Sequence, residues 1–191
     1  MTRLDRQIAF LVEADRLKSV DRATTLADAS RVENSAEHSW HLALYALVLA
    51  DQAGPEVEID RVIRMLILHD LVEIDAGDAP IFADVDAASL AVQEAAAADR
   101  IFGLLPDDQR AALRALWDEF EAAQTPSAQF AKALDRFQPP MQNLASGGGS
   151  WTEYNVTPDR IEARVAPAIK RGAPALWAYA KARIDAFFAA K

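Results

Sequence analysis

His69 and Asp70 stand side by side near the end of an apolar helical run, RVIRMLILHDLVEID, spanning residues 61–75. Glu73 follows one turn later, His38 lies upstream and Asp135 well downstream. On a helix, neighbouring residues are about 100° apart, so His69 and Asp70 can both reach an ion lying off one side. Glu73 is three residues from Asp70 and four from His69, on the same face as both. A charged group set where a helix should bury leucines needs a partner or a metal. The grouping points to a metal-dependent hydrolase.

His38 opens a neighbouring helix and can add a second imidazole. Asp135 lies mid-helix between Ala131, Leu134 and Gln138, a poor place for an isolated aspartate. A bound divalent ion polarises a phosphoryl oxygen and lowers the pKa of its water. A nearby carboxylate that is not a ligand can then orient or deprotonate that water. Glu73 and Asp78 are the candidates, and Asp78 follows Gly77 in a turn that folds its carboxylate back over the same mouth. His41 reads as a core or supporting histidine, not a ligand. Glu33 and Glu37 read as solvated or near-cap charges, and Trp40, Leu44, Tyr45 and Leu47 as core or groove residues. Arg136 is expected off the face of Asp135.

The elements that must position these residues are helices. Alanine is frequent and the 191 residues include only 7 glycines, which favours helix. Amphipathic spacing marks residues 3–17 through Leu4, Ile8, Leu11 and Val12. Residues 18–34 read as a long polar connection. Helices are expected over 34–52, ended by Gly54-Pro55, over 58–74, and over 86–102, stopped by Gly103. Others follow from Leu105-Pro106-Asp107 to about Gln124, from the Thr125-Pro126 cap, from Thr157-Pro158, and over 174–189. Pro139-Pro140 should kink or break the helix they sit in. Ser146-Gly147-Gly148-Gly149-Ser150 reads as a flexible loop. No β alternation competes, so the expected fold is all-α, one domain over residues 1–191.

Composition bounds the chemistry. Apolar residues make up 51% and charged residues 26%, the balance of a soluble globular chain. There is no cysteine, so any metal must sit on nitrogen and oxygen ligands. That suits one divalent ion, Mn, Co, Fe, Zn, Ni or Mg, without choosing among them. A net charge of −9 argues against extended nucleic-acid binding, which needs a basic surface. No stretch approaches the ~20 apolar residues of a membrane span. The N-terminal residues lack a signal-peptide pattern, so a cytoplasmic location is expected.

At these residues the chain resembles the HD-domain phosphohydrolases, whose pattern is a His, then His-Asp, then a distal Asp. Here those positions read His38, His69-Asp70 and Asp135. Four spaced segments carry the likeness: RVENSAEHSWH from Arg31, LHDLVE from Leu68, Gly77-Asp78-Ala79-Pro80, and Gly147-Gly148-Gly149-Ser150-Trp151. Over roughly residues 10–160 the chain looks like the bacterial 5′-deoxynucleotidases and their eukaryotic HD-domain relatives. The resemblance implies an HD-type helical bundle with a motif core at about 31–140 and C-terminal helices over 158–190 packed on it. It implies one metal on His38, His69, Asp70 and Asp135, and hydrolysis of a deoxynucleoside 5′-monophosphate to nucleoside and phosphate. By position, Glu73 would activate the nucleophile and Asp78 would handle the leaving oxygen's proton. Lys18 and Arg22 would match the family's basic loop, with Arg22 as phosphate clamp, and a homodimer is implied. The family's tryptophan after the loop arginine is missing, since the chain reads Ala23-Thr24-Thr25, so the likeness does not extend to sugar selectivity. The rival readings are a phosphodiesterase or iron-dependent oxygenase on the same scaffold, which would need more ligands, and a non-catalytic nucleotide-sensing module.

Overall fold

The computed structural model of the chain describes residues 1–190. It runs α1 (Arg3–Ala14), a 3-10 turn (Asp15–Ser19), β1 (Asp21–Thr25), β2 (Val32–Asn34), α2 (Ser35–Val48) and α3 (Ile59–Leu68). A short 3-10 turn (Ala50–Gln52) lies between α2 and α3, and a third 3-10 segment (His69–Val72) leads into α4 (Glu73–Ala76), α5 (Ala87–Phe102), α6 (Asp107–Ala122) and α7 (Pro126–Ala145). The chain ends with α8 (Gly149–Glu153), α9 (Pro158–Arg164), α10 (Ala166–Gly172) and α11 (Pro174–Ala189). Helices dominate as expected, and the core is one apolar cluster joining α1 to α11.

Local chemistry sets the helix starts. Asn34 and Glu37 form a reciprocal capping box on α2, with bonds of 2.9 and 3.1 Å. Thr125 caps α7 with Pro126 in its first turn, and Thr157 with Pro158 does the same for α9, where a missing N–H costs nothing. Along α3, Val62, Met65 and Leu66 are fully buried at helical spacing, each stabilising by about 1.5–3 kcal/mol. The longest helix, α7, packs against α2, α3, α6, α10 and α11. Gly172 permits the closest of these approaches: a Cβ there would lie 2.0 Å from the Gln129 carbonyl oxygen.

Four expectations need correction. Residues 18–34 are not an irregular connection but a 3-10 turn and an antiparallel hairpin, pairing Asp21 with Asn34 and Thr25 with Val32. Its strands are too short and polar to show alternation. The helix expected over 58–74 is interrupted by the 3-10 turn at His69–Val72. Pro139 and Pro140 do not break α7, because burial of Phe137, Gln138, Pro140 and Asn143 holds the helix together there. The segment 146–150 is an ordered turn, with Gly147, Gly148 and Gly149 at φ 76°, 121° and 38°, values that glycine adopts at no steric cost. The stripe Leu4, Ile8, Leu11 and Val12 faces outward, and Phe10 carries α1 into the core.

Candidate functional site

The interruption of the α3 line shapes the site. In the 3-10 turn, the Glu73 N–H bonds to the carbonyls of Asp70 and Leu71. The His69 carbonyl, without its usual i+4 donor, accepts instead from Trp117 Nε1 at 3.1 Å. A buried carbonyl needs such a partner. The tighter turn leaves His69, Asp70 and Glu73 together on the wall of one cavity of about 250 Å³.

His38 from α2, His69 and Asp135 from α7 each bring one ligand atom to within 4.8 Å of the others. The tautomers follow from their partners. His69 Nδ1 is 2.8 Å from the Leu66 carbonyl, which can only accept, so Nδ1 carries the proton and the Nε2 lone pair is the atom left for a cation. Buried His69 Nε2 makes no hydrogen bond and lies 2.9 Å from Asp70 Oδ1 and 3.8 Å from Asp135 Oδ1. Gln138 Nε2 donates to Glu33 Oε2 at 3.2 Å, which turns Gln138 Oε1 toward His38 Nδ1, also at 3.2 Å. His38 therefore donates from Nδ1 and presents Nε2 to Asp135 Oδ1 at 3.2 Å. Two imidazole nitrogens thus converge on one carboxylate oxygen, with the other ring nitrogen of each anchored as in metal-ligating histidines. This donor set fits a divalent cation on nitrogen and oxygen.

Beside this cluster Arg22 projects from β1. Its Nη1 lies 2.9 Å from Asp70 Oδ2, 3.2 Å from Asp78 Oδ1 and 3.6 Å from Glu73 Oε1, and its Nε 3.5 Å from Glu33 Oε1. Burial opposes the guanidinium charge, but Asp70, Asp78 and Glu73 outweigh it and raise its pKa further. Burial likewise opposes ionisation of Asp70 and Asp135, yet His69 and Arg22 hold Asp70, and Arg136, His38 and His69 hold Asp135, below the usual carboxylate range. His69 is raised to about 10: burial disfavours its charge, and Asp70 and Asp135 prevail, so without a cation Nε2 also holds a proton, which a bound ion would displace. Glu73 moves the other way, pushed up to about 9 by burial and by Asp70 against the pull of Arg22. Ser35 donates its hydroxyl to Glu73 Oε2. Asp78 is also raised, by burial and by Asp70, with Arg22 opposing.

Of the residues singled out from sequence, Arg22, His69, Asp70, Glu73, Asp78 and Asp135 line this cavity, and His38 adjoins it behind Asp135. Lys18 is not brought in: it is exposed and paired with Asp15. Glu33 is no solvated charge; it is 1% exposed and accepts from Gln138 and Gln142. Two of its partners, Gln138 and Gln142, lie more than 100 residues away, so the sequence around it does not announce the burial. Glu37 is the cap residue expected. His41 meets the Gln138 amide at 3.2 Å, one step from the cluster. Arg136 does reach Asp135, at 3.8 Å. Trp40 and Leu47 are exposed rather than core or groove residues, whereas Leu44 and Tyr45 line a groove beside Phe137, as expected. Leu176 and Trp177 are buried, while Phe187 and Phe188 pack on Trp151 at 5.6 and 5.5 Å and close the core.

The chain is similar to several known proteins. The chain is 47% identical to a protein from Magnetospirillum magnetotacticum MS-1 described as a predicted metal-dependent phosphohydrolase. That crystal structure superposes with a TM-score of 0.92 over 98% of this chain and 96% of that one. A human protein named 5′-deoxynucleotidase HDDC2 is 30% identical over 130 residues, 68% of this chain and 62% of its own length, so the match spans under two thirds of that relative. The 5′-deoxynucleotidase YfbR of Shigella dysenteriae is 26% identical over 171 residues, 84% of each chain. The HD domain pattern matches residues 14–177, and the chain therefore belongs to the HD-domain family.

Proposed function

We propose that the protein is a metal-dependent phosphomonoesterase that hydrolyses nucleoside 5′-monophosphates, deoxynucleotides among them, to nucleoside and phosphate. The observation that carries the reading is the convergence of His38 Nε2 and His69 Nε2 on Asp135 Oδ1, with Asp70 at 2.9 Å from His69 and two further carboxyls in the same cavity. The relatives named 5′-deoxynucleotidase support the substrate class.

His38, His69, Asp70 and Asp135 are the proposed ligands. A divalent ion held there supplies Lewis acidity toward a phosphoryl oxygen and acidifies a bound water. Glu73 takes the proton of the attacking water. Burial and Asp70 raise the proton affinity of Glu73 far above a free carboxylate's, and a divalent ion beside Asp70 would bring it back toward the operating pH, where a base works best. Asp78, raised for the same reasons, delivers a proton to the departing 5′-oxygen. Arg22 holds these carboxylates in place and keeps Nη2, which joins none of the ion pairs above, as a donor toward phosphate.

The rival chemistries on this scaffold need additional ligands. The spare histidine, His41, faces Gln138, which favours a single ion. No described helix is long and apolar enough to cross a membrane, and we assign the enzyme to the cytoplasm. The proposal includes a homodimer, because Trp40, Leu44, Leu47 and Val48 leave an apolar face on α2 of the kind subunits cover.

The test is phosphate release from a panel of deoxy- and ribonucleoside monophosphates and other phosphomonoesters, after metal stripping and reloading with Mn, Co, Fe, Zn or Mg. Release that depends on metal and vanishes in Asp70→Ala supports the reading. No release with any ion, despite bound metal, overturns it. The deoxy-to-ribo ratio reports what Ala23, in place of an aromatic, does to sugar selectivity.

A further inference from the structure

The cavity is poor in available positive charge. Six acids line it, Asp70, Glu73, Asp78, Glu94, Glu121 and Asp135, against three cations, Arg22, Lys132 and Arg136. A phosphate dianion entering such a space is repelled unless a cation with open donors receives it.

Two of the three cations have most of their charge already paired. Arg22 has four carboxylates within 3.6 Å of Nη1 and Nε and keeps only Nη2 for a phosphate. Lys132 Nζ sits 2.9 Å from Glu121 and 3.9 Å from the centre of the Phe120 ring. Arg136 differs. Its side chain is 38% exposed, and its one ion pair, Nε to Asp135 Oδ2, spans 3.8 Å, beyond hydrogen-bond reach. Asp135 turns its other oxygen to His38 Nε2 and His69 Nε2. A single carboxylate therefore separates an open guanidinium from the imidazole nitrogens of the candidate metal centre.

We propose that Arg136 captures the phosphate of the substrate on the open side of the cavity. Its planar fork of N–H donors matches phosphate oxygens in a way a lysine cannot. The inference rests on the phosphomonoesterase reading and names the residue that recognises the dianionic group.

Inorganic phosphate is the probe. It is titrated calorimetrically into the Mn-loaded full chain, wild type, Arg136→Ala and Arg136→Lys, with metal content measured for each. Arg136→Ala should bind phosphate about 10–100-fold more weakly, and Arg136→Lys should fall between, with metal content unchanged. Equal phosphate affinity in wild type and Arg136→Ala overturns the inference. So does a wild type that binds no phosphate, or an Arg136→Ala protein that loses its metal, which would mean that Arg136 acts by supporting Asp135. Nucleotide turnover by the wild type is scored separately. Arg136-dependent phosphate binding without turnover upholds the inference and sinks the enzymatic reading; turnover with an unaltered phosphate affinity in Arg136→Ala does the reverse.

Discussion

Trp117 donates its indole N–H to the main-chain carbonyl of His69 across 3.1 Å. The bond joins α6 to the turn where a regular helix gives way, and so helps to fix the direction of the His69 ring. Trp117→Phe keeps the ring's packing but removes one hydrogen bond from that buried carbonyl, a cost of about 1–2 kcal/mol. For a chain of this size that is a drop of about 2–8 °C in Tm. Metal affinity should fall as well, although Trp117 is not among the residues lining the cavity. Thermal unfolding and a metal titration check both effects; an unchanged Tm would mean the bond contributes nothing.

Glu73 is placed to act on water, not to hold the ion. Glu73→Ala should retain metal and lose about 10²–10⁴ in turnover. Metal analysis beside steady-state kinetics separates the two effects. Turnover near that of the wild type would remove Glu73 from its proposed role, and loss of metal would make it a ligand.

Filling the site should stabilise the fold. His38, His69 and Asp135 come from α2, the 3-10 turn and α7, so an ion bound among them ties three elements together. A ligand at a hundred times its Kd adds about 2.7 kcal/mol, which corresponds to about 5–10 °C in Tm here. Stripping with a chelator should lower Tm by that much, and reloading should restore it. A Tm indifferent to metal would argue that the cluster binds none.

The exposed face of α2 bears on assembly. Trp40 is 67% exposed and Val48 69%. If a second copy covers them, light scattering should give about twice the 20.9 kDa chain mass, and Trp40→Glu should return it to one chain without changing the metal content. A wild type that stays at one chain mass at high concentration would rule the homodimer out.

Much of the candidate site could be read before any coordinates because it violates local rules. His69-Asp70 inside an apolar helix, and Asp135 among buried neighbours, make no sense as surface charges. Glu33 broke no such rule: beside the α2 cap it looks ordinary, and only Gln138 and Gln142, brought back by α7, bury it. Arg22 was legible as a basic loop residue but not as part of a strand, since Thr24, Thr25 and Val32 are too few to announce a hairpin. The α1 stripe was legible as a helix, and its outward direction was not. Helical periodicity tells that a face is apolar, and not what covers it.

The unbroken course of α7 through Pro139 and Pro140 has a mechanical consequence. Neither proline has an N–H, so the carbonyls of Asp135 and Arg136, four residues earlier, forgo their partners within the helix. The two carbonyls must then look outside the helix for donors, on the very turn that bears the distal carboxylate. The local geometry beneath Asp135 is therefore set by what packs around α7 rather than by the helix's own ladder.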